Sequence, residues 1–176
     1  MQTLTRFLKN PVALIGLGLL ILVAAMALSA GNLFPNNPLD LAGRPLQWPL
    51  SNPRFWLGTD VQGRDIAAVM FYGARVSLLI GVVATLIAMT IGILIGALAG
   101  YYGGIADEML MRLTEAFQTL PNFLLLLVLV AVFGSDIKTV TIAIGLVSWP
   151  ASARLTRAEF LSLRNREFVE ACPVVE

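Results

Sequence analysis

Histidine is absent from the 176-residue chain, and cysteine occurs once, as Cys172. No intrachain disulfide can therefore form, and a zinc or haem centre built from this chain's own His and Cys ligands is excluded. The same absence removes Ser-His-Asp and Cys-His hydrolytic machinery. Charge is also scarce: 13% of residues are Asp, Glu, Lys or Arg, against about 25% in soluble domains. Such a chain cannot cover its apolar surface with polar groups, so lipid is the expected solvent for much of it. The net charge of +1 and the lack of a basic patch with interleaved aromatics give no argument for nucleic acid.

What the chain has is long hydrophobic runs; 57% of residues are hydrophobic. The expected class is all-α, a polytopic helical membrane protein. Four parts are expected: residues 1–35 (a tail and first transmembrane helix), 36–75 (an extracytoplasmic loop), 76–162 (a core of three further spans) and 163–176 (a cytoplasmic docking segment). The first run, Val12 to Ala30, covers about 28 Å as a helix, close to a hydrocarbon core of about 30 Å. It is longer than a signal-peptide core and is read as a retained anchor, although Ala25-Met26-Ala27 and Leu28-Ser29-Ala30 are of the cleavable type. The loop after it carries prolines 35, 38, 45, 49 and 53, with Trp48, Phe55 and Trp56; aromatics beside a span suit the membrane interface.

From Val76 to Ala106 no residue is charged. Gly92, Gly96 and Gly100 recur every four residues, with Ala84 and Ala88 on the same stripe. In lipid, small residues at this spacing let two helix backbones approach closely, so the stripe is read as a packing face. Tyr101-Tyr102-Gly103-Gly104 predicts a turn. A third segment, Ala106 to Phe133, contains Arg112 and Glu115 as an i,i+3 pair and Pro121 as a kink. The fourth, Lys138 to Ala153, has a short uncharged core, with Lys138 and Arg154 placed to snorkel to opposite interfaces and Pro150 expected to bend it. With the N-terminus inside, the cytoplasmic side holds Arg6, Lys9, Arg112, Arg154, Arg157, Arg164 and Arg166. The other side holds Arg44, Arg54, Arg64, Arg75 and Lys138. The positive-inside rule thus favours cytoplasmic termini.

Two short stretches carry more information. Gly58-Thr59-Asp60-Val61-Gln62-Gly63-Arg64-Asp65 imitates the spacing of a phosphate-binding loop. Arg64 replaces the lysine, Asp65 the magnesium-binding hydroxyl, and Asp60 adds negative charge where phosphate would sit. The chain is therefore expected to hydrolyse no nucleotide, and no cofactor is expected. Near the end, an apolar segment gives way to a cluster of arginines and glutamates, and a short amphipathic piece follows in which Phe168 and Val169 lie among Arg166, Glu167 and Glu170. That pattern suits a surface element docking on a soluble partner.

The loop motif, followed by Tyr72-Gly-Ala-Arg-Val-Ser-Leu78, resembles the signature of the peptide/nickel branch of ABC importer permeases. The similarity continues through the glycine-rich helix to Gly100-Tyr-Tyr-Gly-Gly104, Leu120-Pro121, Gly145-Leu-Val-Ser-Trp-Pro150 and Ala153-Arg-Leu-Thr-Arg-Ala158. It ends in Arg166-Glu-Phe-Val-Glu-Ala171, which resembles the cytoplasmic EAA coupling loop. The chain is most similar to the C-type partner of dipeptide/oligopeptide permease pairs.

The resemblance implies a type I ABC importer transmembrane fold, with four of the usual six spans present. It implies a subunit of the bacterial inner membrane that forms part of a pathway for peptides, or a related small solute such as nickel. The implied partners are a second permease, two ATPase subunits and an extracytoplasmic solute-binding protein. Arg166, Glu167, Phe168, Val169, Glu170 and Ala171 would make the coupling contact. Against the family pattern, Cys172 stands at the second alanine, Pro173 follows at once and Glu176 occupies the glycine position. The expectation drawn from this is a C-terminal truncation. The alternative function is a non-transporting membrane protein that at most binds permease or ATPase partners.

Overall fold

The computed structural model describes residues 10–164. These form five helices: α1 (Pro11–Leu33), α2 (Ile66–Tyr102), α3 (Gly104–Thr119), α4 (Asn122–Phe133) and α5 (Ile137–Arg164). The expected coupling residues Arg166, Glu167, Phe168, Val169, Glu170 and Ala171 lie outside the described residues, as do Arg6, Lys9 and Cys172. The described chain divides into two compact units that part between Leu79 and Ile80.

In the first unit, α1 starts at Asn10, whose Oδ1 accepts the amides of Val12 and Ala13 at 3.1 and 3.4 Å. Pro11 occupies the first turn, where a missing N–H costs nothing. The helix has 23 residues, about 34 Å at 1.5 Å each. Its large side chains face outward on all sides: Val12, Ile15, Leu20 and Leu28 are all exposed, as expected where the surroundings are lipid.

At the far end of α1, Phe34 stacks edge-on against Phe71 and Trp56, with centroids at 5.2 and 6.4 Å. Tyr72 donates its hydroxyl to the carbonyl of Phe34 at 2.9 Å. The start of α2 is thereby fixed to the end of α1. α2 begins ten residues before the uncharged run expected to carry this span, at Ile66 rather than Val76. Asp65 accepts the Ala67 amide at 2.9 Å and so serves the first turn. Arg75 consequently lies in the helix, not in the loop.

In the second unit, α2 ends in a sharp turn at Gly103 and Gly104, both at positive φ (64° and 53°). The expected single kinked segment around Pro121 is two helices, α3 and α4, bent by 80°. The reason is local: the residue before a proline is pushed out of the helical region, and Leu120 is extended at ψ 133°. Arg112 bonds Glu108 at 2.6 Å, one turn back, rather than Glu115. α5 runs unbroken through Pro150.

Among the described residues, length and apolar composition qualify α1 and α2 as spans, and a third if α3 and α4 count as one bent span. The expected fourth, α5, does not qualify by that measure. Only Thr139–Ala153 is free of charge, and 15 residues reach about 22 Å.

Candidate functional site

Two constellations stand out, one in each unit. The first is the loop motif. Gly58 and Gly63 both adopt positive φ, 78° and 83°. A Cβ on Gly58 would lie 2.2 Å from the carbonyl oxygen of Gln47, and one on Gly63 would lie 2.3 Å from that of Gly43. No other residue fits either place. Thr59 is buried, donating its hydroxyl to the Arg44 carbonyl at 2.6 Å and accepting the Gln47 amide at 3.0 Å. The motif thus clamps two passes of the loop together by backbone contacts.

Asp60 closes the turn. Its Oδ1 accepts the amides of Gln62 and Arg64, each at 2.8 Å, while its carbonyl accepts the Gly63 amide at 3.0 Å. The amide of Arg64 is the main cause holding the Asp60 carboxyl below its ordinary range. In a phosphate-binding loop, successive amides of this kind face the nucleotide. Here the carboxylate of Asp60 occupies that concavity. Asp65 serves α2, leaving the motif as an internal fastening. Arg64 buries an Nε with no hydrogen-bond partner. Among the described residues no three His, Cys, Asp or Glu side chains gather as a metal site.

The second constellation is a helix node in the other unit. A Cβ on Gly92 would meet Ser152 Cβ at 2.5 Å and the Trp149 carbonyl at 2.9 Å. One on Gly96 would meet the Ala153 carbonyl at 2.3 Å, and one on Gly100 would meet Phe160 Cβ at 2.5 Å. Each four-residue step along α2 is matched by a four-residue step along α5, so the two helices run parallel. The contact extends back to Gly145, whose Cβ would touch Ile87 at 2.7 Å. α5 returns the favour of small residues with Ala143, Gly145 and Ala153, all buried.

α3 runs the other way. Phe117 meets Trp149 edge-on at 5.4 Å. Ten residues earlier, Asp107 takes a bidentate contact from Arg157, its Oδ2 accepting Nη2 at 2.5 Å and its Oδ1 accepting Nε. As the α3 number falls the α5 number rises, which is antiparallel packing. The pair is half-buried, with side-chain exposures of 17% for Asp107 and 34% for Arg157.

Sequence spacing alone assigns Asp107 no partner. A signal existed: Trp149, Ala153 and Arg157 share one face of α5 at steps of four, and that face ends in a cation. The 50-residue separation hid the match.

Comparison with known proteins adds two family matches. Residues 92–174 match the binding-protein-dependent transport system inner membrane component, and residues 1–49 match the N-terminal TM domain of oligopeptide transport permease C. The dipeptide transport system permease protein DppC of Haemophilus influenzae is 35% identical over 173 residues, 96% of this chain and 59% of its own length. DppC of Bacillus subtilis is 36% identical over 94% of this chain and 52% of its own. The oligopeptide transport system permease protein OppC of Haemophilus influenzae is 36% identical over 96% and 55%. The chain thus spans between half and three-fifths of the length of these curated relatives.

Proposed function

We propose, from the premise that this chain belongs to the C-type permeases of binding-protein-dependent peptide ABC transporters, that it lines part of a peptide pathway driven by ATP hydrolysis on separate subunits. The observation that carries the reading is the similarity over 96% of the chain to a protein named as a dipeptide transport permease. Its partners in this reading are a second permease, two ATPase subunits, an extracytoplasmic solute-binding protein and the lipid of a bacterial inner membrane. The loop motif faces the extracytoplasmic side, and Arg166 to Ala171 dock on an ATPase.

The helix directions support the crossing pattern. α2 and α5 run parallel and α3 runs antiparallel to both, so a chain that enters on α2 goes back by α3 and α4 and enters again on α5. α5 then counts as a crossing despite its short uncharged core. The glycine stripe gives it a protein neighbour in place of lipid along about 24 Å, from Gly145 to Phe160. Lys138 and Arg154 sit where long side chains reach either interface. With the N-terminus cytoplasmic, the pattern is four spans with both ends inside.

Single cysteines in a Cys172→Ser background test this. An impermeant maleimide added to intact cells labels Asn36→Cys and Asn52→Cys and misses Ser162→Cys. Labelling of Ser162→Cys overturns the topology. Retention of an ATPase subunit by the tagged chain, weakened by Phe168→Ala, supports the docking assignment; retention unaffected by Phe168→Ala refutes it.

A further inference from the structure

We infer that Asp107 and Arg157 are positioning residues that couple the docking segment to the pathway helices, an inference that rests on the permease reading above. At Arg157, as at Trp149 two turns earlier, α2, α3 and α5 meet. The Arg157 backbone sits in the notch of the glycine stripe. A Cβ on Gly96 would lie 3.0 Å from Arg157 N, and one on Gly100 would lie 3.1 Å from Arg157 O. Its side chain crosses to α3, where both guanidinium bonds end on the carboxylate of Asp107.

Asp107 in turn sits in the first turn of α3, its amide bonded to the Gly103 carbonyl at 3.2 Å. Gly103 and Gly104 at positive φ make the turn from α2 into α3. The ion pair thus holds the start of α3 to the charged half of α5, and the glycine seat holds that half to the C-terminal end of α2. The residues proposed to dock on the ATPase begin nine positions after Arg157 in the sequence. A push on that segment reaches α3 through Arg157–Asp107 and α2 through the glycine seat.

The bidentate fork suits this work better than packing would. Two parallel charge-assisted bonds fix the angle between the helices as well as their distance. The glycine seat is made of close backbone and Cβ contacts that do not involve the carboxylate, so it survives loss of the pair. Removing the carboxylate should therefore leave the helices assembled and loosen α3 alone.

The test uses the assembled transporter in membrane vesicles, with radiolabelled dialanine as probe. Asp107→Asn should leave the amount of chain in the membrane and its retained ATPase within about twofold. It should lower dialanine transported per ATP by about tenfold, within the ~5–150-fold span of coupling between linked sites. The reversal Asp107→Arg with Arg157→Asp should restore most of the ratio, which a purely structural role would not require. An unchanged ratio in Asp107→Asn overturns the inference, as does a loss that merely follows a fall in membrane-inserted chain. If Asp107→Asn fails to accumulate, Arg157→Lys decides the matter. It keeps the charge but not the fork, and a wild-type ratio there overturns the inference. A wild-type chain that retains no ATPase and moves no dialanine removes the permease reading, and the inference with it.

Discussion

Replacing Gly96 by alanine places one methyl group against the backbone of α5. The new Cβ would lie 2.3 Å from the Ala153 carbonyl oxygen, where an ordinary C···O approach is about 3.3 Å. Neither backbone can yield locally, so the helices must part by about 1 Å. A gap of that size forfeits a quarter to a half of each dispersion contact it crosses, and the seam runs from Gly92 to Gly100. Overpacking of this kind costs about 1–3 kcal/mol.

Alanine also favours the helix over glycine by up to about 1 kcal/mol, which masks part of the loss. Gly81→Ala supplies the reference, because it gains the same propensity and meets nothing within 4 Å. The difference between the two variants isolates the contact. Trp149 reports on it, being buried at the seam while Trp48 and Trp56 are exposed. With those two changed to Phe, the detergent-solubilised Gly96→Ala chain should unfold at lower denaturant than Gly81→Ala, with Trp149 emission shifted to the red. Gly96→Leu should be worse and should disrupt assembly. Equal unfolding midpoints and unchanged emission would refute the packing argument.

Other outcomes follow from the loop. The Asp60 carboxyl is held low chiefly by the Arg64 amide, so its contribution is complete above the unfolded carboxylate value of about 3.9 and disappears as pH falls through the lower folded value. Amide proton shifts of Gln62 and Arg64 should therefore hold from pH 7 to about 5 and collapse only below about pH 4; collapse near pH 6 would contradict this. Gly58→Ala or Gly63→Ala combines positive φ with a clash on backbone carbonyls, and should open the loop to protease where Gly73→Ala, with nothing within 4 Å, does not.

The sequence made the apolar framework legible because lipid imposes long uncharged runs, and α1 and most of α2 follow from that rule alone. It also made the stripe legible, since a repeat of four needs no tertiary knowledge. The neighbour of that stripe was not legible, because register between Gly96 and Ala153 depends on the intervening return through α3 and α4. Arg112 has Glu108 and Glu115 on either side, at i−4 and i+3, and sequence spacing cannot choose between them. Pro121 permits a kink or a break; the extended conformation at Leu120 makes it a break. The same blindness to long range hid Asp107–Arg157, the polar contact between α3 and α5. In the loop, Gly58, Thr59, Asp60, Gly63, Arg64 and Asp65 were recognisable as a motif. That Asp60 would fill the concavity formed by its own amides was visible only in the hydrogen bonds.

A peptide-conducting pathway that includes this chain and is powered by other subunits should fail when the chain is missing. Uptake of radiolabelled dialanine by cells lacking the gene, with and without the gene restored, tests it most directly. ATP-dependent uptake should fall on deletion, return on restoration, and fail when the partner ATPase is inactivated. Uptake that is identical in the deleted and restored strains, for dipeptides and longer peptides alike, would contradict it.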